Sequence, residues 1–411
     1  MLNLSNPLNL NQPDMARILP LFLLFLFAVN LPAQEDFRIV GYLPYYRFGF
    51  SDQINFEQLT HLNIAFANPE MDGHLDVGGQ NIDPIVSIGK DNGLTVLISM
   101  GGGLTAAWRD AWQFWMQAPN RAEYIHNIME FVRVHELDGV DMDLEGADVN
   151  ALYSPFVLEL RDSLAAEGKL LTAALPGSNR DPDISDAALN AFDWINIMVY
   201  NLTGPWAPNS PGPHSPYSFA VSSINNWFSQ GVPAERLTLG VPFYGWDFSS
   251  SPVASFTYRA IVEENPENAF NDQAGLRYYN GIPTIQNKTL LAMNLVSGIM
   301  IWEIGQDSYT EYSLLNAIYE TVYPPSGIEP AAPEDVFSAF PNPFSEELSI
   351  QNQSDSSLGL RLTAMDGRAL RQFTVDAHST YWLNTTSLTS GMYVLQVLGQ
   401  ENPQAYKVLR Y

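Results

Sequence analysis

Asp138 to Glu145 reads DGVDMDLE, and its alternation decides how the chain around it is to be read. Written as a strand, it places Asp141, Asp143 and Glu145 on one face and Val140, Met142 and Leu144 on the other. One face is suited to packing, and the opposite face carries three carboxylates in line. Residues two apart on one face lie roughly 6.5–7 Å apart at the backbone, so their side chains come within coupling distance. Three carboxylates that close cannot all ionise cheaply, and at least one proton is held near neutral pH. A retained proton at the carboxyl end of a barrel strand is what a general acid requires. Two plainer readings weigh less. A solvated acidic face would not alternate with Val, Met and Leu. A calcium loop starting at Asp141 would need Glu at its twelfth position, where Leu152 stands, and a helix pattern leading into it.

Outward from this strand, short β-branched or apolar runs recur: RIVGYL (38–43), HLNIAFA (61–67), TVLISM (95–100), GVDMDL (139–144), LLTAAL (170–175), WINIMVY (194–200), LTLGVPF (237–243) and GIMIWEI (298–304). Stretches with helical spacing separate most of them, such as Arg121 to Glu136 and Asp186 to Phe192. Eight strand–helix units in about 290 residues predict an α/β fold, a closed (β/α)8 TIM barrel over 36–322. An open doubly wound sheet is the structural alternative, but the Gly-rich turn that a dinucleotide site needs after the first strand is missing. Trp108, Trp112 and Trp115 fall at helical spacing and read mostly as packing.

The flanks differ from this central text. Ile18 to Val29 is a 12-residue apolar run after Arg17, shorter than the ~20 residues of a membrane span. With a small residue at Ala33 it reads as a secretory signal peptide over 1–33, with Leu31 an imperfect −3 residue. The residues before Met15 read as superfluous, with translation starting there. No other run approaches a spanning length, so no integral membrane segment is expected after cleavage. At the other end, 323–335 (YPPSGIEPAAPED) is a stiff Pro-rich linker. Beyond it, 336–411 reads as short strands at 348–351, 358–365, 369–375, 392–398 and 405–411. Turn pairs such as Asp366-Gly367 and Ser390-Gly391 suit a small antiparallel β-sandwich.

Composition bounds the chemistry. Nineteen Lys and Arg stand against 45 Asp and Glu, a formal net charge of −26. Such a surface repels a polyanion, which excludes nucleic acid as the expected partner and leaves neutral glycans open. There is no cysteine, so disulfides, thiolate metal sites and thiol nucleophiles are excluded together. The six histidines form no ligand cluster; His126 and His135 are too far apart to share a helical face pair. Neither a metal nor a cofactor is expected. Asn201-Leu202-Thr203 is a glycosylation sequon by spelling only.

DGVDMDLE resembles the DxxDxDxE motif of glycoside hydrolase family 18, the chitinases and endo-β-N-acetylglucosaminidases. Other segments agree in order: Ser99-Met100-Gly101-Gly102 with SxGG on the third strand, Met198-Val199-Tyr200 with MxY on the sixth, and Gly240 to Gly245 with GxPxYG on the seventh. Ile299 to Trp302 resembles the eighth strand and its Trp. The resemblance covers about 40–320. It implies retaining hydrolysis assisted by the substrate's own 2-acetamido group, an exception to the two-carboxylate scheme. Glu145 would be the general acid, Asp143 would hold the acetamido N–H, and Tyr200 the acetamido oxygen. Asp141 would share a proton with Asp143, steadied by Tyr42 and Ser99, and Trp302 would floor the sugar. Phe66, Gly101, Gly102, Met198, Asn201, Trp206 and Tyr244 complete the implied substrate-binding set. Asp138 is read at least as well as a strand-entry residue. Two departures concern substrate preference: Asn201 stands where the family often has Asp, and Trp246 where many chitinases have Arg. Only 51 residues separate Trp246 from Gly298, so the insertion domain of some chitinases is expected to be absent or vestigial and the cleft open.

Phe340 to Phe344 (FPNPF), LTSGMYVLQV (388–397) and the closing KVLRY resemble the sorting domain of the bacterial type IX secretion system. That resemblance implies export to the cell surface or medium, with the secretion machinery as a partner; a carbohydrate-binding sandwich is the alternative. The expected protein is a secreted, monomeric chitinase-type hydrolase acting on N-acetylglucosamine polymers. An N-glycan-cleaving endo-β-N-acetylglucosaminidase and a non-catalytic chitinase-like binding protein are the alternatives.

Overall fold

The computed structural model describes residues 37–324, 337–340, 344–364, 368–388, 391–398 and 405–410. The signal peptide, the linker from 325 onward, Pro341 to Pro343 of the FPNPF motif, the turn residues Asp366, Gly367 and Ser390, and Tyr411 lie outside the described residues.

Eight parallel strands form the centre: β1 (Arg38–Pro44), β2 (His61–Pro69), β3 (Thr95–Gly101), β4 (Gly139–Asp143), β5 (Leu170–Pro176), β6 (Ile195–Met198), β7 (Leu237–Pro242) and β8 (Gly298–Trp302). Each pairs with the next, and β8 pairs back with β1 from Arg38–Gly298 to Gly41–Ile301, so the sheet is closed. This is the (β/α)8 barrel expected from the alternation, and the open sheet is excluded. Around it lie α1 (Asp83–Asp91), α2 (Ala106–Trp115), α3 (Ala118–Val134), α4 (Tyr153–Ala166), α5 (Asp186–Ala191), α6 (Tyr217–Ser229), α7 (Tyr258–Glu264), α8 (Ile282–Leu295) and α9 (Leu314–Val322). Local chemistry sets several helix starts. Thr105, Ser185 and Ser313 accept the backbone N–H of Trp108, Ala188 and Asn316, and proline opens α1, α3 and α8.

Both faces of the strands are covered, which is why they read as nearly continuous apolar runs. Ile39, Ile64, Ile98, Val140 and Met142 pack outward, in one cluster with Trp112, Trp115 and Trp227 from the helices. A smaller cluster of Val40, Tyr42, Ala65, Phe66, Ala174 and Met300 fills the barrel's inside. Phe66 reaches it through a β-bulge: the register of β2 against β3 slips between Ala65 and Ala67. Strict alternation would have sent Phe66 toward the helices.

The interval after β7 is not bare. Tyr244–Asp247, Ala254–Thr257, Gln273–Ala274 and Arg277–Tyr278 make a small antiparallel sheet, with α7 within it. Its two- to four-residue strands are too short to show alternation in the sequence. The C-terminal residues form two antiparallel sheets. One is built from Phe337–Phe340, Glu347–Asn352 and Thr380–Asn384; the other from Leu358–Ala364, Ala369–Val375, Gly391–Leu398 and Ala405–Arg410. Leu348, Ile350, Leu360, Leu362, Leu395 and Val397 share the core between them. Among the described residues no helix is long and apolar enough to cross a membrane.

Candidate active site

The acidic strand lies as its alternation requires. Val140, Met142 and Leu144 face the helices, while Asp141 and Asp143 are buried on the barrel side. Glu145 follows β4 with extended backbone and stays open to solvent. The row therefore climbs from the barrel's interior to the carboxyl-end mouth, where a (β/α)8 barrel presents its chemistry.

Asp141 is the anchored end. The Tyr42 and Ser99 hydroxyls donate to its Oδ2, each at 2.7 Å. Thr172 Oγ1 donates to its Oδ1 at 2.5 Å, and Asn196 Nδ2 at 3.2 Å. Asn196 is fixed in turn: Thr238 Oγ1 and Trp194 Nε1 donate to its Oδ1 at 2.7 and 3.1 Å. Burial raises the Asp141 carboxyl, and the four donors pull it partly back. Asp143 has no such support. Its Oδ1 is buried without a partner among the described residues, and burial, Glu145 and Asp141 together raise the carboxyl well above the ordinary carboxylate range. Glu145 is raised as well, by partial desolvation among its neighbours, even though its side chain remains accessible. Asp143 and Glu145 titrate as a pair, and the pair keeps a proton to higher pH than a free carboxylic acid would.

Thr172, Asn196 and Thr238 are absent from the motif-based expectation, although the sequence carried a signal. Each is the lone polar residue within an apolar strand, at inward parity: LLTAAL, WINIMVY and LTLGVPF. A further missed group, an ion pair, lies past Glu145, where Arg109 Nε donates to the buried carboxylate of Asp148 at 2.7 Å and holds the turn at 146–148.

Aromatic side chains roof this row. Trp302 stacks on Phe66 at 5.4 Å between centroids and meets Tyr42 edge-on at 5.8 Å. Behind Trp302, buried Glu303 accepts from Arg47 Nε at 3.0 Å and from Gly305 N at 2.8 Å. Met198 and Tyr200 pack against the inner cluster. Among the described residues the Tyr200 hydroxyl has only a 3.9 Å contact with Met300 Sδ, which leaves it available to a ligand. Its pKa is raised well above the ordinary value by burial, then by Tyr244 and the three carboxylates, so it stays a neutral donor.

Tyr200 and Asn201 lie past the end of β6, shorter than its apolar run, because Asn201 turns the chain at φ 64°. The Tyr244 hydroxyl donates to Asn201 Oδ1 at 2.6 Å and Trp246 Nε1 at 3.2 Å. The two departures from the family pattern thus touch each other, and a neutral hydrogen bond joins Asn201 to Trp246. Trp246 continues edge-on to Trp206, exposed at the rim, 5.9 Å away. Gly101 and Gly102 act through shape. Gly101 has φ 118°, and a Cβ there would lie 2.5 Å from the Asp143 carbonyl oxygen; Gly102 N donates to that oxygen at 2.8 Å.

Asp138 belongs to the opposite end of the barrel. Its Oδ2 accepts from Val96 N at 2.7 Å and pairs with Lys90. Asp193 repeats the device two units later, accepting from Leu171 N at 2.8 Å and from Arg161. Asp138→Ala is therefore expected to cost about 1–3 kcal/mol of stability with kcat unchanged. Thermal denaturation and steady-state kinetics on the same preparation check this. A separate concavity of about 300 Å3 lies beside 304–316. Its buried Asp307 accepts from Ser308 N, Leu314 N, Leu315 N and the Ser313 hydroxyl, which makes it the anchor of the α9 start. Among the described residues no three or more His, Asp or Glu side chains are arranged so that they could hold a metal ion.

A carboxylate row under an aromatic roof at the mouth of a closed barrel is the arrangement of a barrel hydrolase, and the comparisons agree. Residues 38–307 match the Glycosyl hydrolases family 18, and the chain belongs to that family. Residues 338–409 match the Secretion system C-terminal sorting domain, which marks the protein for secretion or cell-surface attachment by the type IX system. The fold is similar to the GH18 chitinase ChiB from the chitin utilization locus of Flavobacterium johnsoniae, with 45% identity and a TM-score of 0.68 over 70% of this chain and 94% of that one. A chitinase from Bacteroides thetaiotaomicron is similar at 25% identity and a TM-score of 0.62, over 70% and 97% of the two chains. A chitinase-like effector of Moniliophthora roreri is 29% identical over 273 residues, 57% of this chain and 66% of that protein. The chain spans about two thirds or less of the curated relatives it matches.

Proposed function

We propose that this chain is a secreted chitinase-type hydrolase that cleaves β-1,4-linked N-acetylglucosamine polymers with retention of configuration. The observation that carries this reading is the unspent chemistry of the site. Asp143 Oδ1 has no partner, the Tyr200 hydroxyl is nearly free, and Glu145 stands protonatable above them. A sugar carrying a 2-acetamido group supplies what these atoms lack. Asp143 takes its N–H, and Tyr200 donates to its carbonyl oxygen. Glu145 protonates the glycosidic oxygen as that bond breaks, while the acetamido oxygen bonds to the anomeric carbon and an oxazolinium forms. Charge develops on the acetamido group, which is where the polar atoms converge. Water then opens the ring, with Glu145 taking its proton. Asp141, held by four donors, acts on Asp143 through its charge. Similarity to a chitinase of a chitin utilization locus favours the polymer over a glycoprotein substrate.

A single panel tests this: chitin oligomers and a high-mannose glycoprotein, offered to the wild type and to Glu145→Gln. Oligomer cleavage by the wild type alone is expected. Cleavage of the glycoprotein only would mean an N-glycan endoglycosidase, and binding without cleavage a lectin-like protein. Deleting 336–411 is expected to leave hydrolysis intact and to abolish export, measured as activity in medium against cell lysate. Loss of affinity for insoluble chitin with export preserved would make the segment a binding module.

A further inference from the structure

Lys288, in the middle of α8, is fully buried. Its Nζ donates to Ser215 O at 2.6 Å, to Ser215 Oγ at 2.7 Å and to Asn280 Oδ1 at 2.7 Å, which uses all three N–H bonds. No carboxylate lies within ion-pair distance of it among the described residues. Asp272 attracts it from farther away, but the Asp272 oxygens are occupied by Gly281 N and Thr284 Oγ1. An uncompensated buried ammonium is costly, and an apolar side chain would be cheaper here. Burial accordingly pulls the amine down to about 7.

The fold places this amine at the root of a chain of hydrogen bonds that ends beside Tyr200. Ser215 Oγ accepts from Lys288 and donates to Val199 O. The neighbouring His214, also buried, accepts from Asn201 N through Nδ1 at 3.5 Å and donates from Nε2 to Tyr244 O at 3.2 Å. Burial and Lys288 push the His214 pKa down to about 3, which keeps the ring neutral, and the Tyr244 carbonyl requires the proton on Nε2. Leu202 N donates to His214 O at 2.9 Å. The backbone is thus gripped before Tyr200, at Val199, and after it, at Asn201 and Leu202.

We propose that Lys288 is a positioning residue for the reaction: through Ser215 and His214 it fixes Tyr200 and Asn201 at the acetamido wall of the cleft. This rests on the hydrolase reading above, and one of its readouts needs no substrate. Lys288→Met and Ser215→Ala are compared with wild type and with Thr289→Val. That control removes an equally buried hydroxyl, one residue along, that bonds only within its own helix. Amide hydrogen exchange of the 199–202 segment is expected to quicken in Lys288→Met and Ser215→Ala but not in Thr289→Val. On chitotetraose, kcat per folded molecule should fall about tenfold or more, with KM changed less than about threefold, because misplacing a group that acts in the transition state lowers kcat. If Lys288→Met fails to fold, Ser215→Ala decides. Wild-type exchange in Ser215→Ala, or faster exchange with wild-type kcat, would overturn the proposal. A wild type that leaves chitotetraose intact would sink the hydrolase reading instead, and the exchange comparison would then decide this proposal alone.

Discussion

Glu145→Gln is expected to lower kcat on chitotetraose by on the order of 10²–10⁴-fold while affinity stays within a few-fold of wild type. The expected size follows from the site. Glu145 is the only carboxyl of the row that is open to solvent, so it alone can meet a glycosidic oxygen. Gln keeps the shape and can donate an N–H, but it has no acidic proton to give. The affinity is expected to survive because the aromatic surfaces proposed to hold the sugar, Trp302 on Phe66 and Tyr244 beside Trp246, do not involve Glu145. Kinetics and tryptophan fluorescence titration on the same variant separate the two terms. A loss of affinity equal to the loss of rate would mean that Glu145 binds and does not transfer protons.

Asp143→Asn is expected to lose activity and gain stability together. Activity should fall on the order of 10²–10³-fold, the usual loss for removing one charge-stabilising group. Stability should move the other way. The folded protein raises the Asp143 carboxyl well above its unfolded value through burial, Glu145 and Asp141. A raised carboxyl contributes stability that is fully present below the unfolded carboxylate range and is lost as pH rises through the folded pKa. Wild type therefore carries a penalty at neutral and higher pH that Asn does not. The variant's Tm should exceed that of wild type at pH 7–8, and the gain should vanish below about pH 4, where the unfolded carboxyl is protonated too. A Tm difference that stays constant across this range would mean that Asp143 is not held at a raised pKa. The same pair sets the alkaline limb of activity. In the proposed role Glu145 must be protonated to act, so the rate is expected to fall as pH climbs through its raised pKa.

Much of this was legible in the sequence, for a physical reason. Strand parity has a period of two, so DGVDMDLE declared both its buried face and its chemical face without any knowledge of neighbours. Tyr42, Ser99 and Trp302 came from the family resemblance, and the structure brings the Tyr42 and Ser99 hydroxyls onto Asp141. Parity failed at Phe66, where the bulge in β2 inserts one residue, and near Tyr200, where Asn201 turns the chain. It was underused at Thr172, Asn196 and Thr238, since a lone polar residue in an apolar strand carries no pattern by itself. Lys288 was out of reach altogether. Its partner Ser215 is 73 residues away in sequence, and a lysine within a helical stretch reads as a solvated face. The contact between Asn201 and Trp246 was equally hidden, although both positions stood out singly.

The anomer released first by the enzyme tests substrate-assisted hydrolysis most directly. Proton NMR of an N-acetylglucosamine oligomer digest, taken before mutarotation equilibrates the products, distinguishes the two outcomes. Attack by the substrate's own acetamido oxygen followed by water inverts the anomeric carbon twice, so the β-anomer should accumulate first, and Glu145→Gln should release essentially none. Early accumulation of the α-anomer would mean a single direct attack by water and would contradict the roles given to Asp143, Tyr200 and Glu145.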